Sequence, residues 1–428
     1  MILRENSMLR ERYFRFTHKS GLDIYVVPKK LSVTYAVFGT KYGSVDNCFC
    51  TGKEEAFFTV PDGIAHYLEH RMFTQSDGSD ITERFSACGA DSNAYTTYTK
   101  TVYLFSTTEN AETALEALLD FVTDPHFTEE LVERERGIII QEIKMCEDNP
   151  YDRCFDRLME AMYHKNSVRV SVAGTEESVK QITADMLNRC YRAFYNPLNM
   201  AVVVCGDIDP EKVAEIADRT LPQSFVAQKI ERRHEAEPPE VKEAVSICEM
   251  SVSKPIFNIG IKDPILMTDG EDRIRRYAAM SILCDAVFSR AGSLYNHMFE
   301  SGMISPDFSC SYSAAETFAF TVISGEADEP QTVLEHIKAY VRSLGDHGMK
   351  AEDVERSRRV LYSEYVKDFD STEEIANNMM DFIMDGADLL EYGDILNNVT
   401  VEEVNELLKS AFKDEYFTIS VVKPKEKE

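Results

Sequence analysis

His66, Glu69 and His70 stand in one pentapeptide, His66-Tyr67-Leu68-Glu69-His70, near the start of a 428-residue chain. Two histidines four residues apart on a helix place both imidazoles on one face, with Cβ atoms roughly 5–6 Å apart. That spacing suits two ligands of one zinc ion, each about 2.0–2.1 Å from the metal. Glu69 precedes the second histidine and shares the face with His66, where a carboxylate can take a proton from water as general base. The order is the reverse of the HExxH arrangement. Two histidines do not hold zinc tightly, and a catalytic site has three protein ligands with one open position. A helix expected over 128–147 offers Glu135 and Glu142, two turns apart on one face. Glu142 follows the apolar run Ile138-Ile139-Ile140. It therefore faces partly inward, where a carboxylate needs a cation or a partner.

Several elements must position these side chains. The pattern from Gly63 to Phe73 is helical and is entered through Pro61-Asp62. A hairpin is expected from Phe14-Arg15-Phe16-Thr17 and Asp23-Ile24-Tyr25-Val26-Val27, followed by a strand at 33–39. The stretch from Ser92 to Thr107 is rich in Tyr, Thr, Val and Phe and reads as strand. Helices are expected at 110–123, at 128–147 with Thr128 as N-cap, at 151–163 and at 183–194, ahead of a strand at 200–204.

Composition limits the alternatives. The formal net charge, 46 − 74 = −28, argues against nucleic acid, which needs a basic patch, and suits a basic peptide by long-range attraction. No window approaches 18 uninterrupted apolar residues, so no membrane span is expected. The first residues carry no apolar export segment, which points to the cytoplasm. Ten cysteines without a repeating spacing read as free thiols, and Cys48-Phe49-Cys50 reads as strand.

The chain also resembles itself. Val132-Glu133-Arg134-Glu135-Arg136 compares with Val354-Glu355-Arg356-Ser357-Arg358, and the same offset places Glu142 on Glu364. Thr183 and the residues after it compare with those from Thr400, and the strand at 200–204 with Thr418-Ile419-Ser420-Val421-Val422. A polar stretch near 223–243, with Pro238-Pro239, reads as the linker between halves. The expected fold is α+β, in two homologous halves, each a mostly antiparallel sheet with helices on one face. Residues 1–222 form the metal-binding half and 240–428 a half without HxxEH.

Three segments together resemble the insulinase/pitrilysin family of inverted-motif zinc peptidases, and most of all its bacterial processing-peptidase-like branch. They are Gly63-Ile64-Ala65-His66-Tyr67-Leu68-Glu69-His70-Arg71-Met72-Phe73, the run Asp91 to Thr99, and Glu133 to Ile143. The resemblance implies a zinc-dependent endopeptidase with His66, His70 and Glu142 as ligands and Glu69 as base. It implies that Glu135 orients a ligand, and that Asn93, Ala94 and Tyr95 lie on the strand that holds the substrate backbone. Active family members also supply an Arg and a Tyr, seven residues apart, from a facing module. The matching stretch here has Phe299 where the Arg would stand and Ser305 near the Tyr. A homodimer would lack both groups. The resemblance thus implies a heterodimer with a related chain that lacks zinc ligands but carries the Arg and Tyr. The rival reading is a non-catalytic core or chaperone-like subunit of the same fold.

Overall fold

The computed structural model describes residues 1–52, 56–75, 78–222 and 228–425. Its strands are β1 Ile2–Asn6, β2 Glu11–Thr17, β3 Asp23–Pro28, β4 Thr34–Thr40, β5 Cys48–Thr51, β6 Phe58–Thr59, β7 Ala90–Thr96 and β8 Thr101–Thr107. Then come β9 Met200–Gly206, β10 Ile230–Arg232, β11 Val245–Met250, β12 Ile256–Lys262, β13 Ser309–Ala314, β14 Ala319–Glu326 and β15 Phe417–Pro424. The helices of the first part are α1 Ile64–Met72, α2 Ile81–Ala87, α3 Ala111–Thr123, α4 Glu129–Asp148, α5 Pro150–Met162, α6 Glu176–Val179, α7 Ala184–Phe194 and α8 Pro210–Thr220. Those of the second are α9 Gly270–Phe288, α10 Ser293–Glu300, α11 Pro330–His347, α12 Ala351–Asp368, α13 Thr372–Asp385, α14 Tyr392–Asn397 and α15 Val401–Ala411.

The expected repeat is visible in the sheets. One sheet runs β1-β2-β3-β9-β4-β8-β7 and the other β11-β15-β12-β14-β13. The sets β3, β4, β7, β8, β9 and β11 to β15 thus share one spatial order: first, fifth, second, fourth, third. In each set the first and fifth strands pair in parallel and the other neighbours antiparallel. The matched threonines also do the same work. Thr183 accepts from Met186 N at 3.3 Å to cap α7, and Thr400 accepts from Glu403 N at 3.1 Å to cap α15.

The chain forms two compact units that interleave in sequence. One holds Met1–Ile143, Ser171–Arg233 and Val366–Glu391; the other holds Lys144–Val170, His234–Tyr365 and Tyr392–Glu428. In the first, Ala36 and Phe38 of β4 join the main apolar core with Leu115 and Leu118 of α3. Side chains alternate across a strand, so Tyr35, Val37 and Gly39 face the other way. That face is covered by α13: Asn377 donates to the Tyr35 hydroxyl at 3.4 Å, and a Cβ on Gly39 would overlap Met380. The second unit repeats the device, with α5 packed on β12 and β15 and a Cβ on Gly260 overlapping Met162. Helices on one face of each sheet were expected; these two cover the opposite face as well.

The stretch read as a polar linker is more structured than expected. Its residues 223–227 lie outside the described ones, but Ile230–Arg232 pairs antiparallel with Phe49–Thr51. Arg232 reaches Asp46 at 2.7 Å, which accounts for a charged residue inside that strand. Further on, Glu237 accepts backbone N–H groups of His164, Lys165 and Asn166, each at 2.8 Å. Buried Lys262 donates to Glu237 at 2.6 Å and to the carbonyls of Pro238 and Glu240 at 2.8 and 3.0 Å. One ammonium thus satisfies backbone groups of a Pro-Pro segment that can form no regular ladder. Lys262→Met leaves Glu237 buried without its cation and is expected to cost roughly 3–5 kcal/mol, read from the urea midpoint. Adding Glu237→Gln should recover part of that loss.

Candidate functional site

α1 starts at Gly63, whose φ of 86° is left-handed. A Cβ there would run into the Ala173 carbonyl, so glycine alone lets the helix begin against that backbone. Ile64, Ala65, Leu68 and Met72 are buried in the core, which turns His66 and His70 to one side. The buried Tyr67 hydroxyl donates to the Val132 carbonyl and ties α1 to α4. On α4, Val132, Ile139 and Ile143 are the buried residues, and Thr128 accepts from Leu131 N at 3.3 Å at its start. The stripe beside them carries Glu135 and Glu142 to the histidines.

His66 Nε2 lies 3.5 Å from Glu142 Oε1, and His70 Nε2 lies 3.2 Å from Glu142 Oε2. The three ligand atoms fall within 4.8 Å of one another, the one such cluster among the described residues. Ligands of a tetrahedral zinc stand about 3.3 Å apart, so the donor set fits that ion in both chemistry and spacing. His70 Nδ1 is 3.1 Å from Glu135 Oε1. Glu69 is buried, and its Oε2 accepts from the Thr96 hydroxyl at 2.5 Å.

The electrostatics follow from these contacts. Burial alone would lower the proton affinity of His70, but Glu135 and Glu142 outweigh it and push the value up to about 10. Hydrogen bonds from His66 and His70 hold Glu142 well below the usual carboxylate range. Burial raises Glu69, against the opposing pull of His66 and Thr96. A buried carboxyl with raised proton affinity is what a general base near neutral pH requires.

β7 is the edge of its sheet. Ala94 N–H donates to Asn93 Oδ1 at 2.9 Å. The Tyr95 side chain points away from the histidines, to Asn377 at 3.1 Å. A cavity of about 390 Å³ opens beside Glu69 and His70, with Phe73, Asn93, Leu131 and Ile138 in its walls. In the other unit, Phe299 is exposed and stacks on Tyr295 at 5.6 Å. Ser305 Oγ accepts from Lys254 at 3.2 Å. At the positions repeating Glu135 and Glu142, Ser357 is buried and Glu364 exposed.

Two residues at this site escaped the sequence reading. Thr96 lies three residues after Asn93 in the quoted run, but nothing in its type announces a bond to Glu69. Arg71 could have been noticed as a charge beside buried helix positions.

Comparisons with known proteins give the family and the fold. The signature "Insulinase (Peptidase family M16)" matches residues 59–176, and "Peptidase M16 inactive domain" matches 181–361. The chain is 36% identical to the uncharacterized zinc protease YmfH of Bacillus subtilis over 98% of this chain and 99% of that one. A solved M16-like peptidase of Alicyclobacillus acidocaldarius superposes with a TM-score of 0.93 at 33% identity, covering 97% of this chain and 99% of that one. A solved protease of Helicobacter pylori shares the fold, with a TM-score of 0.80 at 18% identity over 97% of this chain and all of its own, 100%. With a relative 36% identical over 98% of this chain and 99% of its own, the chain belongs to the insulinase family, peptidase family M16.

Proposed function

We propose that the chain is a zinc-dependent endopeptidase subunit that hydrolyses extended peptides. The observation that carries this reading is the convergence of His66, His70 and Glu142 beside a buried Glu69. The name of YmfH as a zinc protease supports it. A zinc ion held by the three side chains would supply Lewis acidity, letting water ionise near neutral pH and polarising the scissile carbonyl. Glu69 takes the proton from water on Oε1, the oxygen that Thr96 leaves free, and passes it to the leaving amine. Thr96 fixes the carboxylate plane while this happens. The peptide backbone adds to β7 as a further strand, with Ala94 N–H as one donor. The side chain next to the scissile bond enters the cavity walled by Phe73, Leu131 and Ile138.

Completion by a partner belongs to the same proposal. Phe299 and Ser305 offer neither a guanidinium nor a phenol. A related chain without zinc ligands but with the Arg and Tyr would supply both. We place the pair in the cytoplasm, where ten free thiols would stay reduced. The departure at Phe299 and Ser305 also favours a second reading, a non-catalytic core or chaperone-like subunit.

Glu69→Gln separates the two readings. It should lower peptide turnover by at least about 100-fold with zinc content unchanged; unchanged turnover would reject Glu69 as base. Glu142→Ala leaves two histidine ligands and should lose zinc by metal analysis. The raised proton affinity of His70 gives a further expectation. Below pH about 10 its Nε2 carries a proton that a metal must displace. Zinc uptake at pH 8 should therefore release about one proton from His70, and affinity should rise about tenfold per pH unit toward that value. Calorimetry in two buffers of different ionisation enthalpy measures the release. Finally, turnover of the isolated chain should rise on adding a related chain that carries the Arg and Tyr. Equal turnover with and without it would refute the heterodimer.

A further inference from the structure

Among the described residues Arg71 heads the largest fully buried side chains, 1% exposed, and it directly follows His70. A guanidinium cannot shed its proton inside a protein, so its burial requires compensation. Its Nη1 lies 3.7 Å from Glu135 Oε2 and donates to Thr74 Oγ1 at 3.2 Å. Nη2 donates to the His126 carbonyl at 3.5 Å. Glu135 is itself mostly buried, with 14% of its side chain exposed, and its other oxygen, Oε1, meets His70 Nδ1 at 3.1 Å. One carboxylate thus stands between a permanent cation and an imidazole. His66 has no such arrangement: its Nδ1 is buried without a hydrogen-bond partner among the described residues.

Folding gains little from such a pair. Replacing a buried ion pair by apolar residues of similar volume is often neutral or stabilising. Position 71 lies in a helix whose Leu68 and Met72 are core residues, so an apolar side chain could fill this space. The benefit of the charge must then lie in what it does to Glu135. Pinned at Oε2, the carboxylate cannot turn toward solvent, and Oε1 stays on His70.

We propose that Arg71 is a positioning residue of the metal centre: by anchoring Glu135 Oε2 it keeps Oε1 on the His70 Nδ1–H, so that the Nε2 lone pair is aimed at the metal. The proposal rests on the zinc reading given above. It makes the centre asymmetric, with one imidazole oriented by an Arg71–Glu135–His70 chain and the other held by helix packing alone.

The test compares zinc affinity of the full chain, by competition with a chromophoric chelator, with the melting temperature of the metal-free protein. Arg71→Met should bind zinc about 10–100-fold more weakly; because it also leaves Glu135 without this cation it lowers the metal-free melting temperature, and the affinity is read well below that temperature, where the metal-free variant is folded. Arg71→Lys, which returns a cation to Glu135, should restore most of the affinity. Glu135→Gln should weaken zinc similarly, and the double variant R71M/E135Q should be no weaker than E135Q alone. Wild-type affinity in R71M, or losses in R71M and E135Q that simply add, would overturn the proposal while leaving the zinc reading intact. If R71M does not fold, E135Q with wild-type affinity overturns it equally. A wild-type chain that binds no zinc overturns the zinc reading, and this proposal with it.

Discussion

Between two helices the carboxylate of Glu142 lies 3.5 Å from one imidazole and 3.2 Å from the next. Bringing two imidazoles and a carboxylate to one point is costly without a shared cation or proton, because each loses water. The surrounding structure can be read as the means of holding that arrangement. Gly63 lets α1 begin against the backbone of Ala173. The core under Ile64, Ala65 and Leu68 fixes the rotation of α1. The Tyr67 bond to the Val132 carbonyl then sets where α4 lies along it. Around this centre stand Glu135, which holds one histidine, and Thr96, which holds Glu69.

The second half shows what the fold is without that demand. Its five strands repeat the order and pairing of the first. Ser357 and Glu364 stand where Glu135 and Glu142 would, with no HxxEH to meet them. The sheet therefore does not require the His66–His70–Glu142 cluster, which is a few side chains grafted onto a duplicated scaffold. Both halves also use a glycine in their second strand, Gly39 and Gly260, to admit a methionine from a covering helix. That shared detail favours duplication, because hydrophobic burial alone would not demand it.

Much of this was legible in the residues. The i, i+4 histidines, the adjoining Glu69 and the two-turn spacing of Glu135 and Glu142 rest on helix geometry. Helix geometry is local, so a sequence carries it. The Thr128 cap and the strand at Cys48–Cys50 were legible for the same reason: each depends on neighbours in the chain. By contrast, Ile230–Arg232 looked like linker because its strand partner, β5, lies some 180 residues earlier. The interleaving of the two units was equally hidden, since α5 and α13 are ordinary amphipathic helices until their destinations are known.

By itself, then, the sequence determined which side chains could share an ion and that the scaffold is used twice. Only the tertiary structure decided which groups surround them. Thr96 reaches Glu69 across 27 residues, and Glu135 reaches His70 across 65. Tyr95 turns away to Asn377, 282 residues distant. Arg71 becomes part of the centre because burial denies its charge any solvent and places it beside Glu135. Such contacts follow from packing and desolvation over long separations, which residue spacing cannot express.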